Sequence, residues 1–290
     1  MSVRMSVVVP VYNGAETLKD CLHSLANQNM PRDAYEVIVV DDGSSDLSAE
    51  VAAQFDVRLL RQPNAGAAAA RNTGMLAAAG EWVAFTDADC VASRGWLRAL
   101  ARATAAVAED VNCVAGKTLG FNSVTPAARF ADLFGSLDAA RHLSHPRYPF
   151  APSGNVAYRR SSLLEVGGYD PRYRSYEACD LHQRLARLGG RSLFEPAALV
   201  FHKHRATWRQ YWRQQRSYGE GLAYFMRARV DEIGWSVLDE ARAWCGIAVN
   251  GVAALLPGRG DAALARRGTF VKGLAQRVGF VGTYWGAAGR

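Results

Sequence analysis

Trp82-Val83-Ala84-Phe85-Thr86-Asp87-Ala88-Asp89 is an apolar run that ends in two carboxylates one residue apart. The run predicts a buried strand, and its two-residue alternation points Asp87 and Asp89 towards the same side. Carboxylate oxygens held at a strand end suit a hard divalent cation such as Mg²⁺ or Mn²⁺, which often bridges protein to phosphate. An isolated Asp-x-Asp also fits a solvated turn after a strand. Its meaning therefore depends on the segments around it.

Those segments alternate strand-like and helix-like patterns. Residues 5–12 are β-branched and apolar and predict a buried strand. Asn13 follows in N-cap position, with Glu16 three residues on to complete a capping box. Leu18, Cys21, Leu22 and Leu25 then recur at helical spacing. Strands are predicted over 35–40, 57–61, 82–86, 112–119, 153–158 and 198–202. Helices are predicted over 67–79, 93–107, 125–141, 161–166 and 177–188. Such alternation predicts an α/β fold of the Rossmann-like kind, a mostly parallel sheet with helices on both faces. Ligands of such sheets bind beyond the carboxyl ends of the strands, and both Asp41-Asp42 and Asp87-x-Asp89 fall at that edge. The chain lacks the Gly-x-Gly-x-x-Gly turn and the full Gly-x-x-x-x-Gly-Lys-Ser/Thr loop, since Gly116-Lys117-Thr118 lies within a predicted strand with Val111 in place of the first glycine, so a phosphate here would need a metal and side chains.

The 290 residues are 49% apolar, which excludes wholesale disorder. Five scattered cysteines without Cys-x-x-Cys spacing suggest neither a zinc site nor a disulfide framework, which fits a reducing compartment. With no leader-like apolar segment at the start, the expected location is the cytoplasm. The net charge of +7 is unevenly spread: residues 1–200 carry 20 Lys and Arg against 21 Asp and Glu, and residues 201–290 carry 14 against 6. A boundary is expected near residue 205, dividing the chain into 1–205 and a helical, basic region over 206–290.

Taken in order, Val9-Pro10-Val11-Tyr12-Asn13, Val39-Val40-Asp41-Asp42-Gly43-Ser44-Ser45-Asp46, Asn64-Ala65-Gly66 with Ala70-Arg71-Asn72-Thr73-Gly74, and Phe85-Thr86-Asp87-Ala88-Asp89 resemble the family-2 glycosyltransferases of the GT-A fold. Gly154-Asn155, Val166-Gly167-Gly168-Tyr169-Asp170, Glu177-Ala178-Cys179-Asp180-Leu181 and Val200-Phe201-His202 continue the pattern, which covers roughly residues 5–205. The resemblance implies transfer of a sugar from a nucleoside-diphosphate sugar, a UDP-sugar foremost, to an acceptor hydroxyl with inversion. It places the nucleotide against Pro10, Tyr12, Asn13, Asp41, Asp42, Arg71 and Asp87, with Asp41 at the base and ribose. A solvated Arg71 on its helix is the alternative. It makes Asp89 the direct ligand of Mn²⁺ or Mg²⁺, with Asp87 in support and His202 completing the shell. His204, two residues on, competes with His202 if the strand continues. Relatives carry their general base as the second member of a Glu-Asp pair, and that position here is Ala178, which accepts no proton. Glu177 or Asp180 must then serve, and Glu177 has the longer reach. The alternative is a non-catalytic nucleotide-sugar-binding protein that has lost its base.

The basic third adds a helix with Trp208, Tyr211, Trp212 and Gln215 on one face and Arg209, Arg213 and Arg216 on another. Aromatic and arginine residues together suit an anionic membrane surface, so peripheral attachment at the inner face, near a lipid-linked acceptor, is one expectation. The acceptor could equally be a glycan or a small molecule. The aromatics follow no RNA-binding pattern and residues 1–200 are neutral, so nucleic acid is not expected as a partner.

Overall fold

The computed structural model describes residues 4–134, 137–234 and 236–286. The chain forms two compact units. One takes in the chain up to Phe121 together with Leu137–Arg172 and Glu177–Lys203; the other takes in the stretch from Asn122, Tyr173–Tyr176 and everything from His204.

The first unit is built on strands β1 (Met5–Val11), β2 (Tyr35–Asp41), β3 (Arg58–Arg61), β4 (Trp82–Thr86), β5 (Cys90–Ala92), β6 (Val111–Gly120), β7 (Asn155–Arg159) and β8 (Arg191–His202). They form one sheet in the order β3-β2-β1-β4-β7-β6-β8-β5. The first four run parallel, as do β6 and β8, whereas β7 and β5 oppose their neighbours. Alternation along β1 divides the core. Val7 and Val9 join Leu18, Leu22, Trp96 and Leu100 on one face, and Val8 joins Ile38, Val40, Phe85, Tyr158 and Leu181 on the other. Helices α1 (Ala15–Ala26) and α4 (Trp96–Ala106) thus cover one face, and α3 (Ala67–Ala77) and α8 (Glu177–Arg187) the other. Each central strand is buried on both sides, which explains its uninterrupted apolar run.

Several expectations are corrected. Asn13 is not the N-cap of α1: it lies at φ 48°, Gly14 takes the cap position, and no side chain of the helix's own start caps it. The free amides are met from the neighbouring loop, Ala15 N–H donating to Asp46 Oδ2 and Gly14 N–H to Ser48 Oγ. The stretch 125–141 is two helices, α5 (Pro126–Leu133) in the second unit and α6 (Ala139–Leu143) in the first, with Asp138 capping the latter. Gly135 and Ser136, within the predicted helix, lie outside the described residues. Strand β8 begins at Arg191, seven residues earlier than its apolar pattern suggests, because its register with β6 shifts between Gly116 and Lys117. The extra residues carry Pro196, whose missing N–H is tolerated in a bulge. Short elements α2 (Ser48–Ala52), α7 (Arg160–Glu165) and β5 complete the unit; α2 and β5 have no periodic signal.

His182, on α8, is buried against Ser192 Oγ at 3.0 Å, and burial pushes its imidazole down to about 4 from 6.5. The unfolded chain takes up this proton near pH 6.5 and the folded chain does not until about 4. Stability is therefore present in full above that window and is lost as pH falls through it, by up to about 3 kcal/mol. Denaturant midpoints at neutral and acid pH should converge in His182→Gln relative to the unsubstituted protein.

The second unit consists of α5, α9 (Trp208–Ala228), α10 (Val230–Ile233), α11 (Val237–Leu255) and α12 (Gly260–Tyr284). Thr207 and Gln210 form a capping box at the start of α9. Tyr211 and Gln215 face inward and Arg209, Arg213 and Arg216 outward, as their spacing predicts. Helices α9 and α12 approach so closely that a β-carbon on Gly219 would meet Gln276 O at 1.9 Å. Among the described residues no helix is long and apolar enough to cross a membrane.

Candidate active site

Parallel pairing aligns the carboxyl ends of β2, β1 and β4, and the loops leaving them carry most of the predicted residues. Val11 stands opposite Asp41, and Asp42 N–H donates to Val11 O. Pro10 is buried within β1, and Tyr12, just beyond it, is 55% exposed. Asn13 Oδ1 accepts from Ser45 N–H at 2.8 Å, and Asn13 N–H donates to Ser44 Oγ, so the β1 and β2 loops are tied together.

The two adjacent aspartates do different work. Asp41 is fully buried and accepts from Ser44 N–H at 2.9 Å and from Arg61 Nε at 3.1 Å. Asp42 accepts from the backbone N–H of Ala65 and Gly66 and from the Gln62 and Asn64 amides, between 2.7 and 3.2 Å. It holds residues 62–66 in a fixed loop, which Gly66 completes at φ 93°, a backbone state costly to other residues. Arg61 escapes the sequence reading; its register opposite Asp41 on β3 is the structural reason for the pair.

Arg71 is the centre of the site. Projecting from α3, it is 5% exposed, ruling out the solvated alternative. Its Nη2 donates to Asp87 Oδ1 at 2.8 Å and its Nη1 to Glu177 Oε1 at 3.0 Å. The Tyr169 ring lies 5.5 Å from its guanidinium carbon. Burial works against the charge, but Asp87 and Glu177 more than offset it and hold the guanidinium above its usual value. A residue of the Asp-x-Asp motif and the first residue of α8 are thus joined through one buried cation. Arg71→Ala would leave two carboxylates facing one another without it. The expected cost is about 3 kcal/mol in chemical denaturation, with Arg71→Lys recovering part, because a single ammonium cannot reproduce the fork.

Asp89 lies beside the end of β8. Strand β5 pairs with β8 so that Cys90 stands opposite His202, and His202 Nε2 is 3.3 Å from Asp89 Oδ1. Asp89, Cys90 and His202 each offer one donor atom within 4.8 Å of the others. A carboxylate and an imidazole fit a borderline divalent cation, with the nitrogen favouring Mn²⁺ over Mg²⁺. Burial, reinforced by Asp89 and Asp87, pushes the Cys90 thiol well above its ordinary value. Cys90 has no motif to announce it; only the β5–β8 register brings it to the site. Strand β8 ends at His202, so His204 does not continue it and falls in the second unit.

Behind the motif, Thr86 pairs with Asn155 across β4 and β7. Asn155 is buried, accepting from Trp96 Nε1 and donating to Lys117 O and Ala198 O. A β-carbon on Gly154 would stand 3.0 Å from Asp87 Oδ2, so glycine admits the close approach of that carboxylate. At α8, Glu177 is in the first turn, Ala178 is buried, and Asp180 is 5% exposed and bound to Arg184 Nε at 2.8 Å. Arg184 in turn donates to Val166 O. Asp180 is thereby engaged within its own helix, whereas Glu177 reaches the Arg71–Asp87 group.

A doubly covered sheet with carboxylates and a histidine gathered at one strand edge defines a GT-A fold. The family model of glycosyl transferase family 2 matches residues 6–167, and the chain belongs to that family. It is 36% identical over 233 residues to the pre-mycofactocin glycosyltransferase of Mycobacterium tuberculosis (strain ATCC 25618 / H37Rv), covering 76% of this chain and 47% of that protein. It is 32% identical over 174 residues to glycosyltransferase AglE of Haloferax volcanii, 57% of this chain and 55% of that one. The chain thus spans about half the length of these relatives. Among solved structures, mannosyltransferase PcManGT from Pyrobaculum calidifontis, in complex with GDP-Man and Mn²⁺, superposes with a TM-score of 0.69 at 22% identity, covering 99% of this chain and 88% of that one. S. aureus TarS 1-349 in complex with UDP-GlcNAc gives 0.57 at 18%, covering 98% and 92%. At these identities the likeness is one of fold.

Proposed function

We propose that the chain is an inverting glycosyltransferase that moves a sugar from a nucleoside-diphosphate donor to an acceptor hydroxyl. One observation carries the reading: buried Arg71 bonds both Asp87 and Glu177, linking the Asp-x-Asp motif to a carboxylate able to accept a proton. The nucleotide-sugar complexes of PcManGT and TarS support a donor of this class. The nucleoside lies against Asp41 and residues 10–13, where Arg61 and Ser44 fix the Asp41 carboxylate before any ligand arrives. Asp89 and His202 would hold a divalent cation, Mn²⁺ foremost, which when bound would neutralise charge on the departing diphosphate. Arg71 holds Asp87 in position and orients Glu177. Glu177 takes the acceptor proton while the hydroxyl oxygen attacks the anomeric carbon on the face opposite the diphosphate. Inversion follows from that single displacement.

A second reading, a binding protein without turnover, draws on Ala178 at the usual base position and on the engagement of Glu177 by Arg71. A panel of UDP-, GDP- and dTDP-sugars, with Mn²⁺, Mg²⁺ or chelator and simple hydroxyl acceptors, separates the two. Release of nucleoside diphosphate from one donor class, raised by acceptor and abolished by chelator, is expected, UDP-sugars first. Donor binding without release across the panel would favour the second reading.

A further inference from the structure

Helix α11 of the second unit has its polarity reversed. The side packed on α12 carries Glu240, which accepts from buried Arg277 at 2.5 Å, along with Ile247 against Gly273 and Gly251 against Phe270. The outward side carries Val237, Leu238, Trp244, Val249, Val252 and Leu255, between 43% and 85% exposed, and no side chain of the helix is buried. Apart from Arg242 at its rim, this outward face bears no charge among the described residues, and residues 243–257 contain none.

A single exposed valine or leucine is ordinary. A continuous apolar stripe along a helix of about 28 Å is not. A helix facing water places its charges outward; α11 turns Asp239 and Glu240 away from its exposed face and leaves only Arg242 on it. The basic surroundings indicate the kind of surface that would cover it. Arg242, which stands 3.8 Å from Asp239, and Arg259, just past the helix, are exposed, as is Arg267 on α12, and residues 201–290 carry eight more basic than acidic side chains. A second copy of this chain would bring two such positive rims together. An anionic lipid surface complements both the apolar stripe and the positive rim.

We propose that α11 lies in the plane of an anionic lipid surface, its Val237–Leu255 stripe among the acyl chains and its arginine rim among the headgroups. This does not depend on the transferase reading. The test is flotation of the 290-residue chain with vesicles of equal parts phosphatidylglycerol and phosphatidylcholine, or of phosphatidylcholine alone, at low and high salt. The chain should float with the anionic vesicles, less so at high salt. Brominated acyl chains should quench the fluorescence of the unsubstituted protein more than that of the Trp244→Phe variant. The triple substitution Val249→Asp, Val252→Asp, Leu255→Asp faces outward and should keep the thermal transition while lowering vesicle affinity at least about tenfold. Absence of binding by the unsubstituted chain would overturn the proposal, as would equal binding by the triple variant. So would a dimer in sedimentation equilibrium that the triple variant converts to monomer while neither binds vesicles, since the stripe would then be an interface between copies.

Discussion

Asp89→Ala should lower sugar transfer by about 10³-fold, the scale expected when a principal stabiliser of leaving-group charge is removed. Its carboxylate is 3.3 Å from His202 Nε2, in the one described group of oxygen, nitrogen and sulfur donors able to hold a cation. Without it, that group is left with an imidazole and a thiol and no hard oxygen donor, a poor set for Mn²⁺. Titration of Mn²⁺, followed by its paramagnetic resonance signal, should show binding in the unsubstituted protein and none in the variant. The Asp89 side chain is 17% exposed beside buried His202, so the unfolding transition should fall modestly while the protein stays folded at the assay temperature. Full activity in Asp89→Ala would remove the cation from the proposed chemistry.

Glu177→Gln should lower turnover by about 10²–10⁴-fold and leave donor affinity unchanged. The amide keeps the size of the side chain and an oxygen for Arg71 Nη1, so the group around the guanidinium persists. What it loses is a site for the acceptor proton. The competing choice, Asp180, is held by Arg184 and buried on α8, and Asp180→Asn should act mainly on stability. Should Asp180→Asn abolish turnover at constant stability while Glu177→Gln does not, the two roles are reversed.

The central sheet was legible because parallel strands buried on both faces are written as unbroken runs such as Val7-Val8-Val9 and Val37-Ile38-Val39-Val40. The position of the acidic pairs was legible for a related reason, since Asp41-Asp42 and Asp87-x-Asp89 directly follow such runs and so fall at the carboxyl ends of strands. Pairing across the sheet left no comparable trace. Cys90 meets His202 only through the β5–β8 register, and Arg61 meets Asp41 only through β2 and β3. Arg71 could be read as a binding side chain or a solvated one, because helical spacing does not say what a long side chain reaches; the structure buries it between two carboxylates. Asn13 followed a valid local rule for helix caps, but Asp46 and Ser48, more than thirty positions along the chain, fill that role. The reversed polarity of α11 was hidden for the same reason: composition shows an apolar helix, and only packing shows which side faces out.

The claim that these carboxylates form a working transferase site despite Ala178 is tested most directly by a single-turnover experiment on the unsubstituted protein. Donor identified from the panel is bound to saturation with Mn²⁺, acceptor is added, and glycosylated product and nucleoside diphosphate are measured together. The account predicts equimolar appearance of both, with the product's anomeric configuration opposite to the donor's. Saturating donor binding with neither product nor diphosphate would contradict it and leave a protein that holds the nucleotide sugar without transferring it.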